Sequence, residues 1–173
     1  MKNTKLIVKT KSKSYPIYFG NNILNTTGRL LKKNLPGIKK ICIIGDNKLP
    51  KLILNKLIKS LKEYDLKIYK LSATEKTKSL KVANKIIEQL LNNNFNRSDC
   101  VIALGGGVLG DLSAFISNLT KRGLKFINIP TTLLAQVDAS IGGKTGINSN
   151  RGKNLIGTYY HPDFILSDVS LLK

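Results

Sequence analysis

The sequence predicts a doubly wound α/β domain on a mostly parallel sheet, and three observations predict it. Several short runs are almost wholly apolar, as strands covered on both faces must be: residues 38–44, 100–104 and 126–129. Segments with helical apolar spacing alternate with them along the chain. Glycine, proline and polar clusters punctuate the strand ends, where such sheets bind ligands.

The elements follow in order. Residues 6–8 and 16–19 form an N-terminal hairpin across a Lys/Ser turn. A helical stretch over 23–33 stops at Asn34-Leu35-Pro36-Gly37. A buried strand over 38–44 closes at Gly45-Asp46. Residues 49–63 are helical, with Leu52, Ile53, Leu57 and Leu61 near one face, and 66–71 is a strand. A helix over 79–93 carries Val82, Ile86, Ile87, Leu90 and Leu91 and ends in three asparagines. The strand 100–104 runs into Gly105-Gly106-Gly107, and a helix follows from 110 to about 120. Strands at 126–129 and 164–166 complete the set. One domain over residues 1–173 is expected, with no internal repeat and no linker.

Composition bounds the function. The net charge of +19 invites a nucleic-acid reading. That reading is weak, because 25 of the 29 basic residues are lysine and only Arg29, Arg97, Arg122 and Arg151 are arginine. The chain also lacks tryptophan and has few aromatics, whereas nucleic-acid readers use arginine forks and stacked rings. The lysines read as a solvated surface that steers an anionic substrate. No apolar run reaches the roughly 18 residues of a membrane span, and residues 1–5 do not lead into a signal-peptide core. A soluble cytoplasmic protein is expected. Cys42 and Cys100 sit in apolar runs and read as buried free thiols.

Three segments carry chemistry. Gly105-Gly106-Gly107-Val108-Leu109-Gly110-Asp111 matches G-x-G-x-x-G between a strand and a helix, the setting in which backbone N–H groups approach a pyrophosphate. It follows a middle strand, and no acid stands about 20 residues on; a tight turn without ligand is the alternative. Thr131 and Thr132, after Pro130, cap a helix by default, or hold a nucleotide. The densest polar stretch runs from Gln136 through Asp138 and Gly142-Gly143-Lys144-Thr145 to Arg151-Gly152-Lys153-Asn154. It reads as a flexible glycine-rich loop able to wrap an anion. Gly142-Gly143-Lys144-Thr145 lacks the first glycine of a P-loop, since position 138 is Asp, which argues against an ATPase. Lysines and an asparagine beside a carboxylate suit a polyhydroxylated anion. His161 is the only histidine and reads as a loop residue; no typical metal site is expected in the chain.

The blocks Gly105–Asp111, Pro130 to Lys144 (Pro-Thr-Thr-Leu-Leu-Ala-Gln-Val-Asp-Ala-Ser-Ile-Gly-Gly-Lys) and Gly152-Lys-Asn-Leu-Ile-Gly157 with Pro162 resemble the 3-dehydroquinate synthases, among the sugar-phosphate cyclases. The resemblance covers most of the chain and is weakest before about residue 38. It implies a Rossmann-like NAD-binding half, with the family's helical second domain absent. The activity implied is NAD- and metal-dependent conversion of 3-deoxy-D-arabino-heptulosonate 7-phosphate to 3-dehydroquinate, a carbon–oxygen lyase step of the shikimate pathway. It implies cofactor contacts at Asp46, Glu75, Lys78, Gly106, Gly107, Val108, Leu109, Gly110, Asp111, Thr131, Thr132, Lys144, Lys153, Leu171, Leu172 and Lys173. Asp138, Lys144, Lys153, Asn154 and Arg122 fall to the substrate side, Arg122 reaching its phosphate across a dimer interface. A zinc or cobalt ion is implied for the full-length enzyme, with one Glu and two His ligands outside this chain, and so is a homodimer. Two departures stand out: Ala73-Thr74 replaces the family's Asp-Gly, and Ala114 replaces a common glycine. The alternatives are a related cyclase, a glycerol-dehydrogenase-like enzyme, or an inactive NAD-binding fragment.

Overall fold

The computed structural model describes residues 3–172. Among the described residues, nine strands and four α-helices follow in order: β1 (Thr4–Lys9), β2 (Ser14–Gly20), α1 (Thr27–Asn34), β3 (Lys40–Asp46), α2 (Lys51–Ser60), β4 (Asp65–Leu71), α3 (Leu80–Asn92), β5 (Cys100–Gly105), α4 (Gly107–Leu119), β6 (Lys125–Pro130), β7 (Lys144–Ser149), β8 (Gly152–Tyr159) and β9 (Phe164–Asp168). Seven strands form one sheet in the order β1-β2-β9-β6-β5-β3-β4, parallel throughout except for the β1–β2 hairpin. The expected fold class is the one observed.

Alternate residues of the central strands feed two cores. Ile41, Ile43, Cys100, Ile102, Ile127 and Ile129 pack with Leu31 of α1 and Leu57 of α2 on one face. Cys42, Ile44, Val101, Ala103 and Phe126 pack with Ile86 of α3 and Leu112 and Phe115 of α4 on the other. Each Ile, Leu, Val or Phe among them contributes about 1.5–3 kcal/mol when fully buried. Both cysteines are buried free thiols, and burial pushes the Cys42 thiol far above its ordinary value. None of the described helices is long and apolar enough to cross a membrane.

The chain leaves β3 for β4 on one side, then returns past β3 to β5 on the other. The order therefore reverses between β3 and β5, and the crevice outside their carboxyl ends is where such sheets take ligands. Asp46 ends β3 and Gly105 ends β5 there.

Four expectations need correction. The helical stretch at 23–33 is a 3-10 turn, Leu24–Thr26, followed by α1. Its entry is fixed by the buried Asp168 carboxylate, which accepts from the N–H groups of Asn22 (2.8 Å) and Leu24 (2.9 Å). The helix expected over 49–63 is confined to Lys51–Ser60, because single turns end the chain segment at Leu61 and Tyr64. The helix after the glycine run begins at Gly107, not at residue 110. The stretch from Gln136 to Asn154, expected as a flexible glycine-rich loop, lies in the turn Ala135–Ala139 and in an ordered antiparallel ribbon, β7–β8, whose Ile147 enters the second core beside α4. Gly146 pairs with Gly157 where the two backbones crowd, and so much glycine and polarity hid the alternation.

Candidate functional site

The first turn of α4 is the best-built anion cradle at the carboxyl edge. Gly106 is its extended N-cap and provides no capping side chain. The N–H groups of Leu109 (3.1 Å) and Gly110 (3.0 Å) already bond the Gly106 carbonyl. Helix geometry leaves the N–H groups of Gly107 and Val108 without an intrahelical acceptor, at the positive end of a 13-residue helix. Residues 106–108 are half-exposed, so the turn is not packed shut. A Cβ on Gly107 would stand 3.1 Å from the Ala139 Cβ, so glycine sets the close approach of this turn to the next segment.

That segment is a π-helical turn, Ala135–Ala139, carrying Asp138 exposed. Buried Gln136 seats it, donating to the Pro130 carbonyl (3.1 Å) and the Asp168 carbonyl (2.9 Å). Thr132 caps the turn, its Oγ1 accepting from Ala135 N–H at 3.3 Å, while Thr131 is buried and its N–H bonds Gly105. Asp46 is half-exposed, and its carboxylate accepts from Lys48 N–H at 2.9 Å.

A polar network closes the other side of the α4 turn. Lys78, only 4% exposed, comes from the loop before α3 and donates to Asp111 in α4 and to Asn154 in β8. Burial pushes the Asp111 carboxyl above its usual range, and the Lys78 ammonium opposes that shift. Glu75 accepts from Asn148 Nδ2 at 2.7 Å, which holds its carboxyl below the ordinary value, with Lys153 and Lys78 acting the same way. Four residues named from the sequence, Glu75, Lys78, Asp111 and Asn154, thus converge, and Lys153 lies beside them.

Other expected residues do not join this cluster. Lys144 opens β7 opposite Tyr159, four residues or about 13 Å of strand from Asn148. Arg122 lies at the amino end of β6, lining an open cleft of about 480 Å³ with Lys13, Arg97, Lys125, Tyr160 and Asp163. Leu109 and Leu171 are core side chains, and Leu172 is exposed. Any ligand contact from Leu109 or Leu171 is therefore through backbone. Lys173 lies outside the described residues. Sequence reasoning gave Gln136 no role beyond opening the polar stretch and passed over Asn148; a glutamine after a Pro-Thr-Thr turn was legible, but one more asparagine in an asparagine-rich chain was not. Among the described residues no three His, Cys, Asp or Glu side chains converge as a metal site, so this part of the chain does not fit the implied ion.

Residues 68–173 match the family model for the 3-dehydroquinate synthase N-terminal region. The chain is 48% identical over 168 residues to a 3-dehydroquinate synthase of Pelagibacter ubique, covering 97% of this chain and 46% of that protein. It is 43% identical to that of Rhizobium leguminosarum, over 92% of this chain and 43% of that protein. The chain thus spans a little under half the length of the curated relatives it matches. Among solved structures, 2-deoxy-scyllo-inosose synthase complexed with carbaglucose-6-phosphate, NAD+ and Co2+ superposes with a TM-score of 0.90 at 25% identity, over 98% of this chain and 47% of that one. The 2-epi-5-epi-valiolone synthase of Streptomyces hygroscopicus, with NAD+ and Zn2+ bound, superposes at 0.80 and 27% identity, over 96% and 46%. An iron-containing alcohol dehydrogenase, at 22% identity and a TM-score of 0.75, shares the fold. By its matched residues and by its curated relatives, the chain belongs to the family of the 3-dehydroquinate synthase N-terminal domain.

Proposed function

We propose that residues 1–173 are the NAD-binding domain of a 3-dehydroquinate synthase, acting on 3-deoxy-D-arabino-heptulosonate 7-phosphate together with the remainder of a longer, cytoplasmic, homodimeric protein. The observation that carries this reading is the α4 N-terminus, at the β3–β5 reversal, with two amides free of helix partners and a glycine where the next segment approaches. NAD bound there supplies a reversible hydride acceptor. The amides of Gly107 and Val108 bind its pyrophosphate, and Asp46 offers a carboxylate for ribose hydroxyls across the same crevice. Lys78 donates to Asp111 and opposes the rise that burial imposes on its carboxyl. The exposed Asp138, Lys144, Lys153 and Asn154 supply a carboxylate, two ammonium groups and an amide for a hydroxylated, phosphorylated acid. Arg122 lies at the other end of the sheet, so its proposed phosphate contact is made to a neighbouring protomer's substrate. The related cyclases with bound NAD+ support the cofactor. Among the described residues no cluster of metal ligands forms, so the implied ion is left to the remainder of the protein and no step is routed through it here.

The test is an assay in a protein extended to its relatives' full length. NAD-dependent release of inorganic phosphate from the heptulosonate phosphate is expected. Gly107→Val should lower NAD affinity by about 10-fold to over 100-fold, as the loss of one to two hydrogen bonds to a charged group implies. Absent phosphate release, or glycerol oxidation in its place, contradicts the proposal.

A further inference from the structure

We infer that Asn148, a residue outside the family motifs quoted above, is a positioning residue that locks the β7–β8 tip, with Lys153 and Asn154, onto the loop that carries Glu75 and Lys78. The inference rests on the functional reading just given, since it assigns Asn148 a role in that site. Asn148 falls where the β7–β8 register shifts between Ile147 and Ser149, so no β8 residue stands opposite it in the ladder. Its backbone turns instead to the loop before α3. It forms a parallel bridge with Ser79, and its N–H donates to the Lys78 carbonyl at 2.7 Å.

Three of its four side-chain capacities are used. Nδ2 donates to the Glu75 carboxylate (2.7 Å) and to the Glu75 carbonyl (3.1 Å), and Oδ1 accepts from Asn154 N–H at 3.0 Å. A carboxylate and a carbonyl on one side and an N–H on the other allow only this amide orientation. Asn154 is held at φ +58°, a left-handed conformation that needs local support. Its side chain then accepts from Lys78, which also donates to Asp111 at the start of α4. Asn148 thus begins a chain of contacts, through Asn154 and Lys78, that ends in the helix turn proposed to grip the cofactor. An aspartate at this position would offer no donor and would face Glu75 as a like charge. Glu75 is the charged group that Asn148 bonds, and the charges that act on Glu75 or through it are Lys78 from the loop, Lys153 from β8 and Asp111 from α4.

The experiment compares wild type, Asn148→Ala and Asn148→Asp in the full-length enzyme, measuring kcat, KM for the heptulosonate phosphate and NAD Kd across pH, with circular dichroism to confirm folding. Misplacing reacting groups by about 1 Å is expected to lower kcat/KM about 10- to 100-fold in both variants at neutral pH. Asn148→Asp should recover as the pH falls, because either the introduced carboxyl or that of Glu75 takes up a proton and becomes a donor again; Asn148→Ala should not. A structural role alone would move both variants alike at every pH. Values within about twofold of wild type, or identical pH profiles for the two variants, overturn the assignment of Asn148. A wild type that releases no phosphate overturns the functional reading instead.

Discussion

Lys78→Met is expected to lower the chain's Tm by about 6–12 °C, because it strips a half-buried carboxylate of its counter-ion. Removing one partner of a buried pair costs about 3 kcal/mol, and for a chain of this size each kcal/mol is worth about 2–4 °C. Methionine keeps most of the apolar stem, so the loss reports the charge and its two hydrogen bonds, to Asp111 and Asn154. The pH dependence has a definite sign. Burial already raises the Asp111 carboxyl and Lys78 opposes it, so without Lys78 the folded-state value rises further above the unfolded one. A carboxyl raised in this way binds its proton more tightly when folded, and stability is gained as the pH falls through that raised value. The deficit of Lys78→Met should therefore shrink as the pH is lowered from neutral toward the ordinary carboxylate value of 3.8. Adding Asp111→Asn to the variant should restore part of the loss at neutral pH. Thermal melts of wild type, Lys78→Met, Asp111→Asn and the double variant across pH check this; a deficit independent of pH, or additive in the double variant, would count against the pairing.

Gly28→Ala is expected to destabilise by about 3 kcal/mol, although alanine is the better helix former by about 1 kcal/mol. Gly28 lies buried in the first turn of α1, and a Cβ there would stand 2.0 Å from the Ser60 carbonyl oxygen at the end of α2. That contact is backbone, so no side chain can rotate away, and the two helices must move apart by over an ångström. Their interface includes Leu31 and Leu57, both fully buried in the first core. Equilibrium urea unfolding decides between the two effects: a lower midpoint means that the close approach wins, and a higher one means that propensity does.

How far the sequence reveals this molecule depends on which force shapes each part. The central strands were legible because burial on both faces demands apolar runs, as at residues 100–104 and 164–166. The α4 turn was legible because close backbone approach demands glycine. The β7–β8 ribbon was not, since only Thr145, Gly146 and Ile147 are buried in β7 and most of β8 is exposed. Strand period is weak when one face has little to bury. The carboxylate of Asp168 and the amide of Asn148 act through backbone partners far away in sequence, Asn22 and Leu24 for one and Glu75 for the other. Composition and spacing carry no trace of such pairings. Within the candidate site, the resemblance named Glu75, Lys78, Asp111 and Asn154, and the fold brings these four together.

The most direct measurement is an amide NMR titration of this chain with NAD. A pyrophosphate gripped by the α4 turn predicts saturable shifts concentrated at the N–H groups of Gly106, Gly107 and Val108, with weaker ones at Asp46. Shifts confined to the basic cleft around Arg97 and Arg122, or none at millimolar NAD, would contradict it.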